Sequence, residues 1–162
     1  MGKPPEYKIG LLLCARCLTL ATAESCTGGL ISHRITNVAG ASDYYLGGVV
    51  AYSNEAKMAL LNVPAGLLAQ YGAVSRETVL EMTRGARQAL RADIAISVSG
   101  IAGPGGGTDG KPVGTVWVGL AAPDGDWARL HHFAGDRQQN KASSAEAALQ
   151  MLVEYLEGKR DL

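Results

Sequence analysis

The chain has 162 residues, a length typical of one domain, and residues 1–162 are therefore predicted to form a single domain with a sizeable core. Fifteen basic and fifteen acidic side chains give a formal net charge of zero, which disfavours a protein that binds nucleic acid through bulk positive charge. Hydrophobic residues make up 47% of the chain and charged residues 19%, proportions that exclude an intrinsically disordered protein.

The N-terminal segment has no recognisable export or membrane signal. Its apolar stretch Ile9–Cys14 is short and is followed by Arg16, so it is neither a signal peptide nor a membrane span of about 20 residues. We therefore expect a cytoplasmic protein with reduced cysteines and no membrane association.

One pair of cysteines, Cys14-x-x-Cys17, has a spacing found in functional sites. It could form a redox pair or half of a zinc site, but no second CxxC is present and the histidines lie elsewhere, at His33, His131 and His132. The favoured interpretation is two small apolar residues on successive turns of a packed helix. The sequence thus predicts no metal site and no cofactor.

The first half of the chain alternates helical and strand patterns. The predicted elements are a helix from Pro4 and Pro5 to about Cys17, a strand over Leu18–Ala23, a helix marked by Ile31, Ile35 and Val38 and ended by Gly40, a strand over Leu46–Ser53, a helix capped by Asn54 and running to Leu61, and a short helix over Pro64–Tyr71.

The second half predicts a long helix, three strands and a final helix. These are a helix capped by Ser75 and ending near Ala92, a strand over Asp93–Ser99, a loop over Gly100–Pro112, strands over Val113–Ala121 and Trp127–Phe133, and a helix that follows Gly135-Asp136-Arg137. Helices interleaved with about five strands, two of them in a hairpin, predict an α/β domain of three layers, α/β/α, around a mixed five-stranded sheet.

The turn Glu24-Ser25-Cys26-Thr27-Gly28-Gly29 joins the first predicted strand to a helix. Ligands of open α/β sheets bind at the carboxyl ends of strands, and a helix start offers unpaired N–H groups to an anion or an oxyanion. Ser25 and Thr27 carry hydroxyl groups, and Cys26 is a rival nucleophile. From this turn alone, a role for Ser25 as the N-cap of the helix is as well supported as a role as nucleophile.

Tyr52-Ser53-Asn54-Glu55-Ala56-Lys57 is a second junction of a strand with a helix. Lys57 lies about one turn into the helix, where its side chain can turn back to the same sheet edge. A partly desolvated lysine loses proton affinity and can act as the base of a serine nucleophile. A solvated helix lysine beside Glu55 is the alternative.

The segment Ser99–Gly107 opens a stretch in which the chain's glycines concentrate: of 21 glycines, eight fall between Gly100 and Gly119. Consecutive backbone N–H groups in such a loop can bind an anion. Its spacing fits neither a Walker A loop nor a dinucleotide fingerprint, and a wide turn without function remains open.

A fourth candidate is Gly135-Asp136-Arg137, at the start of the last helix. An arginine there can hold a phosphate through paired hydrogen bonds, while the helix start adds N–H donors. The alternative is an ion pair between Arg137 and Asp136.

Together these segments resemble the CinA C-terminal domain family, whose stand-alone members include nicotinamide mononucleotide amidohydrolases of the PncC type. The resemblance runs in order from about residue 5 to residue 157 and lacks the N-terminal domain of full-length CinA proteins. Ser99 stands where many relatives have threonine, which keeps the hydroxyl group. The matching stretches are Ala23–Ser32 (AESCTGGLIS), Gly47–Lys57 (GGVVAYSNEAK), Gly72–Ser75 (GAVS), Ser97–Gly107 (SVSGIAGPGGG), Lys111–Thr115 (KPVGT) and Gly135–Arg137 (GDR).

The resemblance implies hydrolysis of the nicotinamide carboxamide to a carboxylate and ammonia. It implies that Ser25 is the nucleophile, that Lys57 is its base and that Tyr52 orients or relays the proton. We further predict an oxyanion hole on the backbone N–H groups of Cys26, Thr27, Gly28 and Gly29.

The remaining residues predicted for the site are expected to bind a phosphorylated nucleotide. Ser99, Gly100 and Gly103 would line the pocket, and Arg137 would bind the phosphate. The partner is then a small molecule, with neither nucleic acid nor membrane involved, and a homo-oligomer is compatible with the sequence. A catalytically silent nucleotide-binding module and a hydrolase of another phosphorylated amide or ester are the alternatives.

Overall fold

The computed structural model describes residues 2–162. Its helices are α1 (Pro5–Arg16), α2 (Leu30–Thr36), α3 (Asn54–Leu61), α4 (Ala65–Tyr71), α5 (Arg76–Leu90) and α6 (Arg137–Leu156), with a short 3₁₀ turn at Ala41–Asp43. Its strands are β1 (Leu20–Glu24), β2 (Tyr45–Val50), β3 (Ile94–Gly100), β4 (Thr115–Ala122) and β5 (Gly125–His132).

The strands form one mixed sheet in the order β2-β1-β3-β4-β5. β1 pairs in parallel with both β2 and β3, whereas β3–β4 and β4–β5 are antiparallel. The carboxyl ends of β1, β2 and β3 therefore meet at one edge of the sheet, where the register sets Glu24 beside Val50 and Val98. This edge is where an open α/β sheet places its ligand site.

Helices cover both faces of the sheet. One core joins α1, α2 and α6 to one face, and its side chains include Ile9, Ile31, Leu149, Ile96 and Val118. The other core joins α3, α4 and α5 to the opposite face through small strand residues and larger helix residues, among them Ala21, Ala95, Leu61, Leu68 and Met82. The predicted three-layer α/β/α arrangement with a mixed five-stranded sheet is confirmed.

Several local predictions differ from the structure. α2 ends at Thr36, before Val38, and β2 ends at Val50 rather than at Ser53. Ser53, not Asn54, caps α3, because its side chain accepts a hydrogen bond of 3.0 Å from the N–H of Ala56. The 3₁₀ turn before β2 was not predicted, because three residues carry no periodic pattern. Cys14 and Cys17 are exposed rather than packed, and Cys17 ends α1 in a left-handed conformation.

The glycines of the first turn have a conformational role. Gly28 and Gly29 adopt φ angles of +60° and +102°, in the left-handed region that side chains with a Cβ atom rarely occupy. They let the chain reverse between β1 and α2, so that Ser25 lies at the sheet edge. No helix formed by residues 2–162 is both long enough and apolar enough to cross a membrane.

Candidate active site

A cavity of about 280 Å³ opens at the carboxyl edge of β1, β2 and β3. It brings together most of the residues predicted for the site: Ser25, Cys26, Tyr52, Lys57, Ser99, Gly100, Gly103 and Arg137. Thr27, Gly28 and Gly29 belong to the same turn as Ser25 but are not part of the lining. None of the lining residues is an aspartate or a glutamate.

Ser25 and Lys57 are in direct contact at the base of the cavity. The Nζ atom of Lys57 lies 3.0 Å from Oγ of Ser25, and the lysine is 1% exposed. The same Nζ donates hydrogen bonds of 3.0 and 3.1 Å to the carbonyl oxygens of Ala51 and Tyr52. Both carbonyls belong to the segment between β2 and α3, so the strand end and the helix start together fix the amine.

These contacts orient the lone pair of a neutral Lys57. A carbonyl oxygen only accepts hydrogen bonds, so two of the hydrogens on Nζ are committed to Ala51 and Tyr52. When the amine loses its third proton, its lone pair faces the hydroxyl of Ser25. Burial lowers the pKa of Lys57, which favours this neutral form, although the charge of a Cys26 thiolate would oppose the shift.

A buried carboxylate builds the turn that carries Ser25. Glu24 is fully buried, and its two oxygens accept five hydrogen bonds. Oε2 accepts from the Thr27 hydroxyl at 2.6 Å and from the N–H groups of Gly29 and Ile31 at 3.0 Å. Oε1 accepts from the N–H and hydroxyl of Ser32 at 2.8 Å. Glu24 thereby holds the turn against the start of α2.

The neighbouring thiol is poorly suited to be the nucleophile. Burial raises the pKa of Cys26 to about 11, the nearby charge of Glu24 adds to the rise, and a backbone hydrogen bond partly offsets it. The reactive form of a cysteine is the thiolate. The Cys26 thiol is therefore protonated near neutral pH, and Ser25 is the residue in contact with a base.

The backbone N–H groups of the turn are only partly free. The N–H of Gly28 donates to the carbonyl of Ser25 at 3.1 Å, and that of Gly29 donates to Glu24. Within residues 2–162, the N–H groups of Cys26 and Thr27 donate to no other residue, and the backbone hydrogen bond to the Cys26 thiol comes from that residue's own N–H. Of these two residues, Cys26 lines the cavity and Thr27 lies buried directly behind it in the chain.

Tyr52 and Arg137 meet at the mouth of the cavity. Arg137 donates to the carbonyl of Gly103 at 2.7 Å and to the Tyr52 hydroxyl at 3.1 Å. Asp136 does not pair with Arg137: its side chain caps α6 by accepting from the N–H of Gln139 at 2.9 Å. The Tyr52 side chain is 61% exposed and contacts Arg137, while its carbonyl contacts Lys57.

The opposite wall comes from the end of β3 and the loop after it. Ser99 is buried and donates its hydroxyl to the carbonyl of Ala73 at 2.7 Å, which joins β3 to the segment between α4 and α5. Ala73 and Val74 complete this wall, and Gly105 and Gly106 extend it toward solvent.

Sequence reasoning did not assign roles to three sets of residues in the site. Glu24 lay inside the first motif, and a charged residue at the end of an otherwise apolar strand was the available signal. Asn54 lines the cavity from the first turn of α3. Ala73 and Val74 line it as well, and small apolar residues carry no chemical signal that a sequence could reveal.

Comparisons with known proteins match this chain along nearly its whole length. A profile of the CinA C-terminal domain matches residues 3–156. A CinA-like protein of Salinibacter ruber is 52% identical over 145 residues, which cover 90% of this chain and 35% of the relative. A CinA-like protein of Geobacter sulfurreducens is 53% identical over 135 residues, with 83% and 33% covered. The chain thus spans about a third of the length of these relatives.

Solved structures of similar size share the fold. A competence-damaged protein (CinA) superfamily structure from Klebsiella pneumoniae superposes with a TM-score of 0.92 at 39% identity, covering 96% of this chain and 97% of the other. One from Escherichia coli gives 0.91 at 35% identity, with 93% and 88% covered. Motifs, fold and overall sequence agree: the chain belongs to the CinA C-terminal domain family.

Proposed function

We propose that this protein hydrolyses the carboxamide of nicotinamide mononucleotide to nicotinic acid mononucleotide and ammonia. The observation that carries the proposal is the contact of 3.0 Å between Nζ of the buried Lys57 and Oγ of Ser25. A serine paired with a buried amine is a nucleophile with its base, an arrangement used for acyl transfer. The choice of substrate rests on the family motifs, because the family that they resemble includes nicotinamide mononucleotide amidohydrolases.

The first half of the reaction forms an ester on Ser25. Oγ attacks the carboxamide carbon while neutral Lys57 takes the hydroxyl proton, and the carbonyl oxygen becomes an oxyanion. The free N–H groups of Cys26 and Thr27 are the donors we assign to that oxyanion, each worth about 3–4 kcal/mol in comparable sites. Lys57 then protonates the departing nitrogen, so that the C–N bond breaks and ammonia leaves.

The second half of the reaction releases the acid. Lys57, neutral again, takes a proton from water, whose oxygen attacks the ester carbon and forms a second oxyanion at the same donors. The C–Oγ bond breaks, Oγ regains its proton from Lys57, and the carboxylic acid product leaves as its carboxylate after giving its remaining proton to water. Lys57 thus serves as base and as acid in both halves, a cycle that the two carbonyl contacts support by keeping the amine in place.

Other groups of the cavity bind and orient the substrate in this proposal. Arg137 binds the phosphate, since its present partners, the Gly103 carbonyl and the Tyr52 hydroxyl, are neutral and leave its charge uncompensated. Tyr52 orients Lys57 for the proton transfer, because its backbone carbonyl accepts a hydrogen bond from Nζ. Ser99, Gly100 and Gly103 form the wall beside the substrate.

The test is to incubate the purified protein with nicotinamide mononucleotide and to measure ammonia and nicotinic acid mononucleotide. Equal amounts of both products are expected from the wild type and none from Ser25→Ala. Tight binding of the mononucleotide without either product would favour the silent nucleotide-binding module instead. Release of ammonia only from other phosphorylated amides would retain the mechanism but replace the substrate.

A further inference from the structure

Lys141 lies next to the site without belonging to the lining of the cavity. It follows Arg137 by four residues on α6, so the two side chains lie on the same side of the helix. A Cβ atom at Gly28 would lie 3.9 Å from Nζ of Lys141, which places the ammonium group against the turn that carries Ser25. Its charge also lowers the pKa of the Cys26 thiol, against the larger effect of burial.

The positive charge of Lys141 is uncompensated in the structure. Within residues 2–162, no carboxylate lies within 4.0 Å of its Nζ, and no atom accepts a hydrogen bond from it. The nearest acidic group of the turn, Glu24, already has its two oxygens occupied by five donors. Of the other lysines, Lys8 pairs with Glu157, Lys57 contacts Ser25, Lys111 donates to Tyr71 and Lys159 lies near Glu154, whereas Lys3 in the exposed N-terminal segment has no such partner within these residues.

Two uncompensated cations on one side of a helix suit a doubly charged anion. A phosphomonoester carries a charge of about −1.5 to −2 at pH 7, and one guanidinium group neutralises only part of it. No carboxylate lines the cavity in which Arg137 lies. We propose that Lys141 is a second ligand of the substrate's phosphate, and that Lys141 and Arg137 together select phosphomonoester dianions. The identity of the amide substrate rests on the proposed function, whereas the binding of the anion does not.

The first experiment compares a phosphorylated and an unphosphorylated substrate. Lys141→Gln is expected to lower kcat/KM for nicotinamide mononucleotide by about ten- to a hundredfold, mainly through KM, and to leave any activity on nicotinamide riboside unchanged. Lys141→Arg, which keeps the charge, is expected to restore most of the loss. Lys159→Gln is the matched control, because it removes a lysine that lies beyond the C-terminal end of α6 and does not line the cavity. Equal losses on the two substrates, or no loss on either, would overturn the proposal.

The second experiment uses pH to separate a phosphate ligand from a structural role. The second pKa of a phosphomonoester is about 6, so the dianion replaces the monoanion as the pH rises through that value. The ratio of wild-type to Lys141→Gln kcat/KM is expected to increase over the same range. The ratio cancels the titration of Lys57, which both proteins share. A ratio that is constant with pH contradicts the selection of a dianion.

The third experiment needs no turnover and keeps the two proposals distinguishable. In calorimetric titration with ribose 5-phosphate, the Kd of Lys141→Gln is expected to be at least about tenfold higher than that of the wild type, the effect of losing one charged hydrogen bond. If the wild type releases no ammonia but binding still depends on Lys141, the proposed function fails and this inference stands. If both proteins bind ribose 5-phosphate equally, this inference fails whatever the activity.

Discussion

The two loops that face each other across the cavity are built in opposite ways. The turn after β1 is fixed by a buried carboxylate, because Glu24 accepts hydrogen bonds from Thr27, Gly29, Ile31 and Ser32. The loop after β3 is tied at its base, where Ile101 donates to Thr115 and Gly114 donates to Ile101. Within residues 2–162, the N–H groups of Ala102, Gly103, Gly105 and Gly106 have no acceptor.

The difference assigns a separate task to each loop. We call the turn after β1 the first wall of the cavity and the loop after β3 the second wall. A nucleophile must be held in place within a fraction of an ångström, and the dense hydrogen bonding around Glu24 supplies that rigidity to Ser25. Binding an anionic or polar ligand needs unpaired donors, and the glycine loop supplies them, with Gly105 and Gly106 exposed. Changes in the first wall should therefore act on kcat, and changes in the second on KM.

The largest effect is expected from Ser25→Ala. Loss of the nucleophile should lower kcat by about three orders of magnitude or more, with little change in thermal stability, because the hydroxyl contacts only Lys57. Ammonia release and the melting temperature are the two measurements. Cys26→Ala is the control, and it should stay active. An inactive Cys26→Ala beside an active Ser25→Ala would assign the chemistry to the thiol.

Substitution of Lys57 should come close to the effect of Ser25→Ala. Lys57→Arg keeps the charge but cannot release a proton at accessible pH, and Lys57→Met removes the charge while filling the space, so both should be nearly inactive. In the wild type, kcat should rise with pH as Lys57 loses its proton, and the midpoint should lie below the ordinary range of a lysine because burial lowers its pKa. An active Lys57→Arg would reduce Lys57 to an electrostatic role.

Glu24→Gln should have a smaller effect that is confined to the first wall. At the Oε2 position the amide nitrogen would face the N–H groups of Gly29 and Ile31, and at the Oε1 position that of Ser32, so at least one donor loses its acceptor. We expect a loss of about 1–3 kcal/mol in the free energy of unfolding and of about ten- to a hundredfold in kcat, with KM little changed.

Glu55→Gln is the matched control for Glu24→Gln, because Glu55 is exposed in the first turn of α3. Kinetics and denaturant unfolding of both variants are the measurements. A rise in KM with an unchanged kcat in Glu24→Gln would show that the turn supports binding rather than chemistry.

The sequence predicted the fold because its signals are local and agree with one another. Ser75 was expected to cap α5, and its side chain does accept from the N–H of Thr78 at 3.1 Å. The alternation of helices and strands was enough to predict the mixed sheet, since a parallel pair needs a crossover and a tight turn gives an antiparallel pair. Most boundaries shifted by one or two residues, as at Ser53, where hydroxyl and amide residues compete for the cap, but the ends of α2 and β2 shifted by more.

The site was predictable as a set of motifs and not as a set of contacts. Ser25 and Lys57 could be expected at the same sheet edge, but the carbonyls of Ala51 and Tyr52 that orient the lysine depend on the backbone path after β2. The role of Glu24 depends on which backbone N–H groups at the start of α2 are directed toward its carboxylate. The alternative of an ion pair between Arg137 and Asp136 is not realised, because Asp136 caps α6 and the Arg137 guanidinium reaches Gly103 and Tyr52.

The smallest effect is expected in the second wall, from Gly103→Ala. Gly103 has a φ of +85°, and a Cβ atom there would lie 2.5 Å from Cγ1 of Val113. The left-handed conformation costs an L-residue about 1–2 kcal/mol, so the loop should shift and carry with it the carbonyl that accepts from Arg137.

KM for nicotinamide mononucleotide should therefore rise several-fold in Gly103→Ala while kcat stays within about twofold, because the Ser25 turn does not depend on this loop. Gly105→Ala is the matched control: Gly105 lines the same cavity, its φ is not positive, and a Cβ atom there would have nothing within 4 Å. Steady-state kinetics of both variants decide the matter. If Gly103→Ala lowers kcat as strongly as Glu24→Gln does, the two walls are coupled, and the division of the site into a rigid reacting wall and an open binding wall is wrong.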